Sequence, residues 1–121
     1  MQRQNNDIDR LLNIKEFASL ILDQLNGLSE DEFNSNEVLR WALLKWMENI
    51  GEAVNQLTNE TREEFDQLDW RSIISARHFY VHHYFNIRWT RIWKSLQAID
   101  FMEIKEYAGK TANILKERYL L

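Results

Sequence analysis

The near absence of helix-breaking residues constrains this chain more than any other feature. It contains no proline and three glycines among 121 residues. Both residue types are unfavourable inside helices, and apolar residues recur at helical spacing along the chain without a segment of period-two alternation. A chain of this length can bury one hydrophobic core. We therefore predict an all-α, up-and-down bundle of four to five helices that forms a single domain over residues 1–121.

Candidate capping residues indicate where the helices begin and end. The first long helix is predicted to end near Gly27, and the second to begin at Asn36. Asp69 can cap the next helix, and we expect Asn86 to interrupt the chain before the one that follows it. Three pairs have the spacing of a capping box, namely Ser29/Glu32, Thr61/Glu64 and Asp100/Glu103.

The sequence lacks cysteine residues, and it lacks a long apolar segment. There is no cysteine, which excludes disulfide bonds and thiolate chemistry. The amino-terminal segment MQRQNNDIDR is polar, and no window approaches 18 consecutive apolar residues. We therefore predict no signal peptide, no membrane span and a cytoplasmic localisation.

Charge is distributed unevenly along the chain, although the net charge is only −4. Residues 1–60 hold five Lys or Arg against eleven Asp or Glu, whereas residues 61–121 hold ten against eight. The window 70–99 contains no acid, but it contains three histidines, seven aromatic residues and five bases: Arg71, Arg77, Arg88, Arg91 and Lys94. Such a patch favours a locally bound anionic ligand, and the alternative is chance clustering around core tryptophans.

The segment ARHFYVHHYFNI, residues 76–87, is the densest cluster of chemically active side chains. On an ideal helix of about 100° per residue, Arg77 and His82 lie about 140° apart, whereas Arg77 and Tyr84 lie within about 20°. Arg77 and His82 can therefore share a site only if the helix ends near His82 or the arginine curls around it. Arginine can hold a phosphate while histidine transfers a proton, which suits RNA cleavage by the internal 2′-OH.

A metal site is the competing interpretation of the histidines. His78 and His82 are four residues apart, as zinc ligands on one helix face often are, but zinc needs a third ligand. The sequence offers no nearby acid and no cysteine, and His83 could contribute only if the helix breaks. A histidine satisfied within the core is the other alternative. We predict no metal and no cofactor.

Several segments, taken in order, resemble the HepT toxins of the HEPN superfamily. RHFYVHHYF resembles their R-x4-H-x-Y signature, NIGEAVNQL their Gly-Glu-Ala segment, and LDWRSIISAR their Trp-x-x-Ile approach to the arginine. YFNIRWTRIWKSL is similar to their Tyr-Phe turn and the Trp-bearing helix that follows. The resemblance extends over essentially the whole chain. One departure is the absence of the proline that commonly precedes the Trp segment.

The resemblance implies a HEPN-like bundle and assigns roles to the motif. Arg77 and His82 match the catalytic pair, and Tyr84 matches the motif tyrosine, which accepts AMP from the partner. His78 takes the polar position after the arginine. The family implies a homodimer with both motifs facing one cleft, and an antitoxin partner that is a minimal nucleotidyltransferase. Five tryptophans in so small a bundle also favour a protein–protein interface.

Three functions remain open from the sequence. The first is a metal-independent ribonuclease toxin in which His82 is the general acid/base, Arg77 holds the phosphate, and His78 and His83 support them. RNA would be guided along its backbone by Arg71, Arg88, Arg91 and Lys94. The second is a non-catalytic module that serves a nucleotidyltransferase as partner or substrate. The third is a structural helical dimer with an incidental basic segment.

Overall fold

A computed structural model describes residues 2–74 and 87–120 of the chain, and these residues are mainly helical, without a strand. The predicted all-α class is confirmed. None of the helices in these two ranges is long and apolar enough to cross a membrane. The helices are α1 (Gln2–Leu25), α2 (Glu30–Ser35), α3 (Glu37–Asn55), α4 (Asn59–Glu64), α5 (described over 70–74), α6 (Trp89–Ala98) and α7 (Phe101–Leu120).

The two terminal helices form the main pair of the bundle, because α1 packs along α7 and also against α3. The buried residues of α1 recur at helical spacing: Leu11, Ile14, Ala18 and Ile21 have no exposed surface. From α7, Ala108, Ala112 and Leu115 are equally buried. The alanines of α7 allow the two helix axes to approach closely. This pair forms a scaffold on which the shorter helices are placed.

Most of the predicted helix boundaries are confirmed. Ser29 caps α2 in a reciprocal capping box with Glu32, and the Asn36 side chain accepts a bond from the Leu39 N–H at the start of α3. Gly27 follows α1 with a φ of 76°, a left-handed conformation that costs glycine little. Asp100 accepts a bond from the Glu103 N–H at the start of α7, which is one of the two bonds of the predicted capping box.

The predicted capping box at Thr61 is wrong, because Thr61 lies inside α4. Thr58 is the N-cap, and its side chain accepts a bond from the Thr61 N–H. The Thr61 hydroxyl is instead buried and donates to Asp7 of α1 at 2.6 Å. Asp7 also accepts from the Thr58 N–H at 3.0 Å and from its hydroxyl at 2.6 Å. Local spacing could not predict this cluster, because Asp7 is distant in sequence.

Candidate functional site

The central motif residues lie outside the residues that the structure describes. Arg77, His78, His82, His83 and Tyr84 all fall between the end of the described part of α5 and the start of α6. The predicted interruption at residue 86 falls in the same range. The arrangement of the catalytic pair therefore stays a prediction, and the described helices on either side define how the chain enters and leaves the motif.

The start of α5 is fixed by a cap and by a buried tryptophan. The Asp69 carboxylate accepts bonds from the Ser72 N–H at 3.1 Å and from the Ser72 hydroxyl at 2.6 Å. These bonds from Ser72 lower the pKa of Asp69, so the cap carries its charge at neutral pH. Trp70 is buried, and its Nε1–H donates to the Phe65 carbonyl at 2.7 Å while its ring lies 6.0 Å from that of Tyr107. The predicted Asp69 cap is confirmed.

On the other side of the motif, α6 is anchored by four apolar side chains. Ile92 and Leu96 are buried. Trp89 and Trp93 are half-buried, and their ring centroids lie 6.2 Å and 5.1 Å from that of Phe33 on α2. The predicted helix bearing these tryptophans is confirmed. Because the apolar side of α6 is held against α2, its opposite side faces solvent.

The solvent side of α6 is basic. Arg88, Arg91 and Lys94 are all exposed and together form what we call the α6 basic face. At about 100° per residue, Arg91 and Lys94 lie about 60° apart and at least about 100° from both Ile92 and Leu96, and Arg88 is the N-cap just before the helix. No acidic residue occurs in residues 70–74 or 87–99. Arg71, the fourth predicted phosphate guide, is also exposed at the start of α5.

One arginine near this region was not predicted to matter. Arg40 of α3 is half-buried, and its guanidinium carbon lies 5.2 Å from the centroid of the Trp89 ring. Its Nη1 donates to the Phe33 carbonyl at 3.3 Å and also to the Asn34 carbonyl. Nothing in the sequence marks Arg40, because its partners come from two other helices.

Carboxylates in the described residues give no metal site. No group of three His, Cys, Asp or Glu residues is placed to hold an ion within the described ranges, while the three histidines lie outside them.

A second residue that the sequence did not single out is Glu48 of α3. Partial burial raises the pKa of Glu48, and the charge of Lys45 acts in the opposite direction.

The family assignment follows from a comparison that covers the motif and the helices on either side of it, α5 and α6. A family model described as "Ribonuclease HepT-like" matches residues 11–111. The chain belongs to this HepT-like family. The match begins within α1 and ends within α7, so it contains the predicted motif and all the helices between. The resemblance in the sequence is thereby confirmed for the HepT-like, HEPN-type family.

Relatives of similar length carry ribonuclease names. The chain is 30% identical over 96 residues to "Putative RNase MJ1380" of Methanocaldococcus jannaschii, covering 79% of this chain and 87% of that protein. It is 29% identical to "Putative RNase TTE0752" of Caldanaerobacter subterraneus subsp. tengcongensis, covering 88% and 92%. It is 25% identical to "Probable ribonuclease HepT" of Thermococcus cleftensis, covering 89% and 94%. No solved structure matches the chain significantly.

Proposed function

We propose that this HepT-like protein is a metal-independent endoribonuclease that acts in the cytoplasm as the toxin of a toxin–antitoxin system. The observation that carries the proposal is the family match over residues 11–111, within which the R-x4-H-x-Y pattern is intact. The relatives' names support RNA cleavage as the reaction. The exposed α6 basic face, which lies in a segment without acidic residues (87–99), supports a polyanionic substrate.

The proposed reaction needs only groups that the motif and the substrate supply. The RNA 2′-oxygen attacks the adjacent phosphorus, the bond from phosphorus to the 5′-oxygen breaks, and a 2′,3′-cyclic phosphate and a 5′-hydroxyl result. The net proton transfer runs from the 2′-oxygen to the 5′-oxygen. His82 is the general acid/base for this transfer, with His78 and His83 in support. Arg77 holds the phosphate oxygens as negative charge develops on them.

Substrate binding is assigned to the cations that flank the motif. Arg71 precedes it, and Arg88, Arg91 and Lys94 follow it on the exposed side of α6. Cations of this kind contact the phosphate backbone and carry no sequence information, so they guide the RNA and do not select it. DNA can bind to the same cations, but it lacks the 2′-OH and is not cleaved.

The proposed assembly is a two-fold homodimer in which the whole chain acts as one domain. Each protomer offers one short motif, and a cleft shared by two motifs gives the RNA a continuous basic surface. Trp41 remains 37% exposed and Val38 81% exposed on one stretch of α3, which supports a protein interface. Light scattering at micromolar concentration should give the mass of a dimer, and a monomer would refute this part of the proposal.

The proposed control of the toxin is modification by a minimal nucleotidyltransferase antitoxin. Transfer of AMP from ATP to the Tyr84 hydroxyl forms a phosphodiester and releases pyrophosphate. The new charge and bulk beside Arg77 would compete with the RNA phosphate for the same donors. Incubation with the antitoxin, ATP and Mg²⁺ should add about 329 Da per AMP to the intact mass. Tyr84→Phe should lose the shift and stay active, and a shift that persists would place the acceptor elsewhere.

Removal of the catalytic pair tests the central part of the proposal. In EDTA, Arg77→Ala and His82→Ala should each lower the rate of RNA cleavage by about two to four orders of magnitude. Thermal unfolding of each variant is the control for folding. RNA binding without cleavage by the folded wild type would favour the non-catalytic module. Cleavage that EDTA abolishes and zinc restores would favour a metal mechanism.

A further inference from the structure

Arg40 joins three helices at one point. It belongs to α3, it donates to the Phe33 and Asn34 carbonyls near the end of α2, and its guanidinium group lies over the Trp89 ring of α6. A guanidinium group is planar and can bond carbonyls while it stacks on an aromatic face. Arg40 therefore fixes the first residue of α6 relative to α2 and α3.

The remaining contacts of Trp89 fix the orientation of its ring. The Phe33 ring lies edge-on to it with centroids 6.2 Å apart and an interplanar angle of 71°. The Trp41 ring lies edge-on at 5.2 Å and 85°. Two edge-to-face contacts and one cation together restrict the indole to a single arrangement. The first turn of α6 is thus held through the side chain of Trp89.

The first turn of α6 depends on this contact because the usual stabilising groups are missing from it. Its N-cap is Arg88, which makes no side-chain capping bond, and the first turn contains no acidic residue. Capping side chains and acids normally stabilise a helix start. Ile92 and Leu96, both buried, hold the rest of the helix in place. Loss of the Arg40 contact should therefore loosen the start of α6 while its axis is kept.

We infer that Arg40 is a positioning residue for the proposed ribonuclease site and acts through Trp89. This inference rests on the proposed function. Trp89 follows His82 by seven residues and Tyr84 by five, so its position sets one end of the segment that carries the motif. Displacement of a reacting group by about 1 Å can cost about 100-fold in rate. Arg40 therefore affects the catalytic rate constant more than substrate binding, because the exposed cations attract phosphate over several ångströms and a displacement of about 1 Å changes that attraction little.

The burial of the Arg40 Nε makes it possible to distinguish an effect of Arg40 on the position of Trp89 from an effect on the stability of the fold. This nitrogen is buried and has no hydrogen-bond partner among the residues that the structure describes. An unpaired buried donor opposes folding, so a methionine of similar length would fill the space without that cost. Arg40→Met should therefore leave the melting temperature nearly unchanged while it removes the contact that orients Trp89.

The test combines steady-state kinetics of RNA cleavage in EDTA with fluorine NMR of the full chain carrying 5-fluorotryptophan. In Arg40→Met we expect kcat to fall about ten-fold with KM within about two-fold of wild type, and the pH–rate profile to keep its shape. Arg40→Lys should be intermediate. The Trp89 resonance, assigned with Trp89→Phe, should shift, while the Trp70 resonance should not. Arg62→Met is the matched control, since Arg62 is also half-buried and bonds only Asn59 of its own helix among the contacts described.

Each outcome of this test bears on the inference. A kcat of Arg40→Met within two-fold of wild type would overturn it, whether or not the Trp89 resonance shifts. If Arg40→Met fails to fold, as shown by loss of the Trp70 resonance, Arg40→Lys decides: a reduced kcat supports the inference and a wild-type kcat overturns it. If the wild type itself does not cleave RNA, the proposed function fails, and the role of Arg40 in it fails too, even where the resonance shifts.

Discussion

The α6 basic face and the groove between the α4–α5 loop and α7 carry opposite charge. The basic face presents the exposed side chains of Arg88, Arg91 and Lys94, and residues 87–99 contain no acid. The groove, of about 700 Å³, is lined by Lys110, by apolar side chains and by five acids that we call the acidic groove residues: Glu64, Asp66, Asp100, Glu103 and Glu106. One small chain thus offers one surface that attracts a polyanion and another that repels it.

This difference explains how an acidic protein can bind RNA. The net charge is −4 and the isoelectric point is about 5.4, which taken alone would argue against a nucleic-acid ligand. At physiological salt, charges are screened over about 8–10 Å, so an RNA phosphate responds to the nearest side chains more than to the total. The acidic groove also disfavours RNA at its own surface. Binding should therefore depend on which face loses its charges.

The largest expected effect is on RNA binding when the basic face is neutralised. The triple variant Arg88→Gln, Arg91→Gln and Lys94→Gln removes three of the proposed phosphate contacts. For single-stranded RNA, each contact contributes about 0.7 to the slope of log K against log salt, so the slope should fall by about 2. If the variant and the wild type bind equally at 1 M salt, the variant should therefore bind about 100-fold more weakly than the wild type at 0.1 M salt. Fluorescence anisotropy in a salt series measures both quantities.

The matched control removes three charges of the other sign. Asp66→Asn, Glu103→Gln and Glu106→Gln neutralise three acidic groove residues and change the net charge by the same amount in the opposite direction. RNA affinity should rise by less than about three-fold, because in the proposed binding mode these acids do not contact the phosphates and their charge is screened. An equal and opposite effect of the two triple variants would show that total charge governs binding and that the two faces do not differ.

A buried acid should behave differently from the exposed acids of the groove. Asp7 is 1% exposed and accepts three bonds from Thr58 and Thr61. Asp7→Ala leaves these donors without an acceptor and should lower the free energy of unfolding by about 2 kcal/mol. Urea unfolding measures this loss. RNA affinity of the folded variant should be unchanged, and a loss of affinity without a loss of stability would contradict the separation between scaffold and binding face.

The smallest expected effect comes from Glu48, whose pKa is raised by burial. A carboxyl whose pKa is higher in the folded state stabilises folding when protonated, and that contribution disappears as the pH rises through its folded pKa. Glu48→Gln should therefore stabilise the protein at pH 7, by no more than about 0.5 kcal/mol, since the group is largely solvated. Well below pH 4.5 the variant and wild type should unfold alike. Stabilisation by Glu48→Gln at low pH but not at pH 7 would contradict a raised pKa of Glu48.

The sequence predicted those parts of the fold that depend on local chemistry. Helical periodicity gave the all-α class, and the caps at Ser29, Asn36 and Asp69 were correct because each bonds an N–H three residues on. Thr61 was misassigned, since its hydroxyl serves Asp7 from another helix, and spacing carries no information on such contacts. Arg40 was missed for the same reason. The predicted phosphate guides are exposed on the described helices, whereas their role and the geometry of the catalytic pair stay predictions.

The nature of the cleavage product tests the central claim most directly. The proposed mechanism requires that the nucleophile is the 2′-oxygen of the substrate and that no metal takes part. The measurement compares, in EDTA, an RNA oligonucleotide that the protein cleaves at one position with the same oligonucleotide carrying a single 2′-deoxy sugar there. Mass spectrometry of the products should show a 2′,3′-cyclic phosphate and a 5′-hydroxyl for the first, and no cleavage at that position for the second. Cleavage of the 2′-deoxy substrate at a similar rate, or products with a 5′-phosphate, would contradict the proposed mechanism.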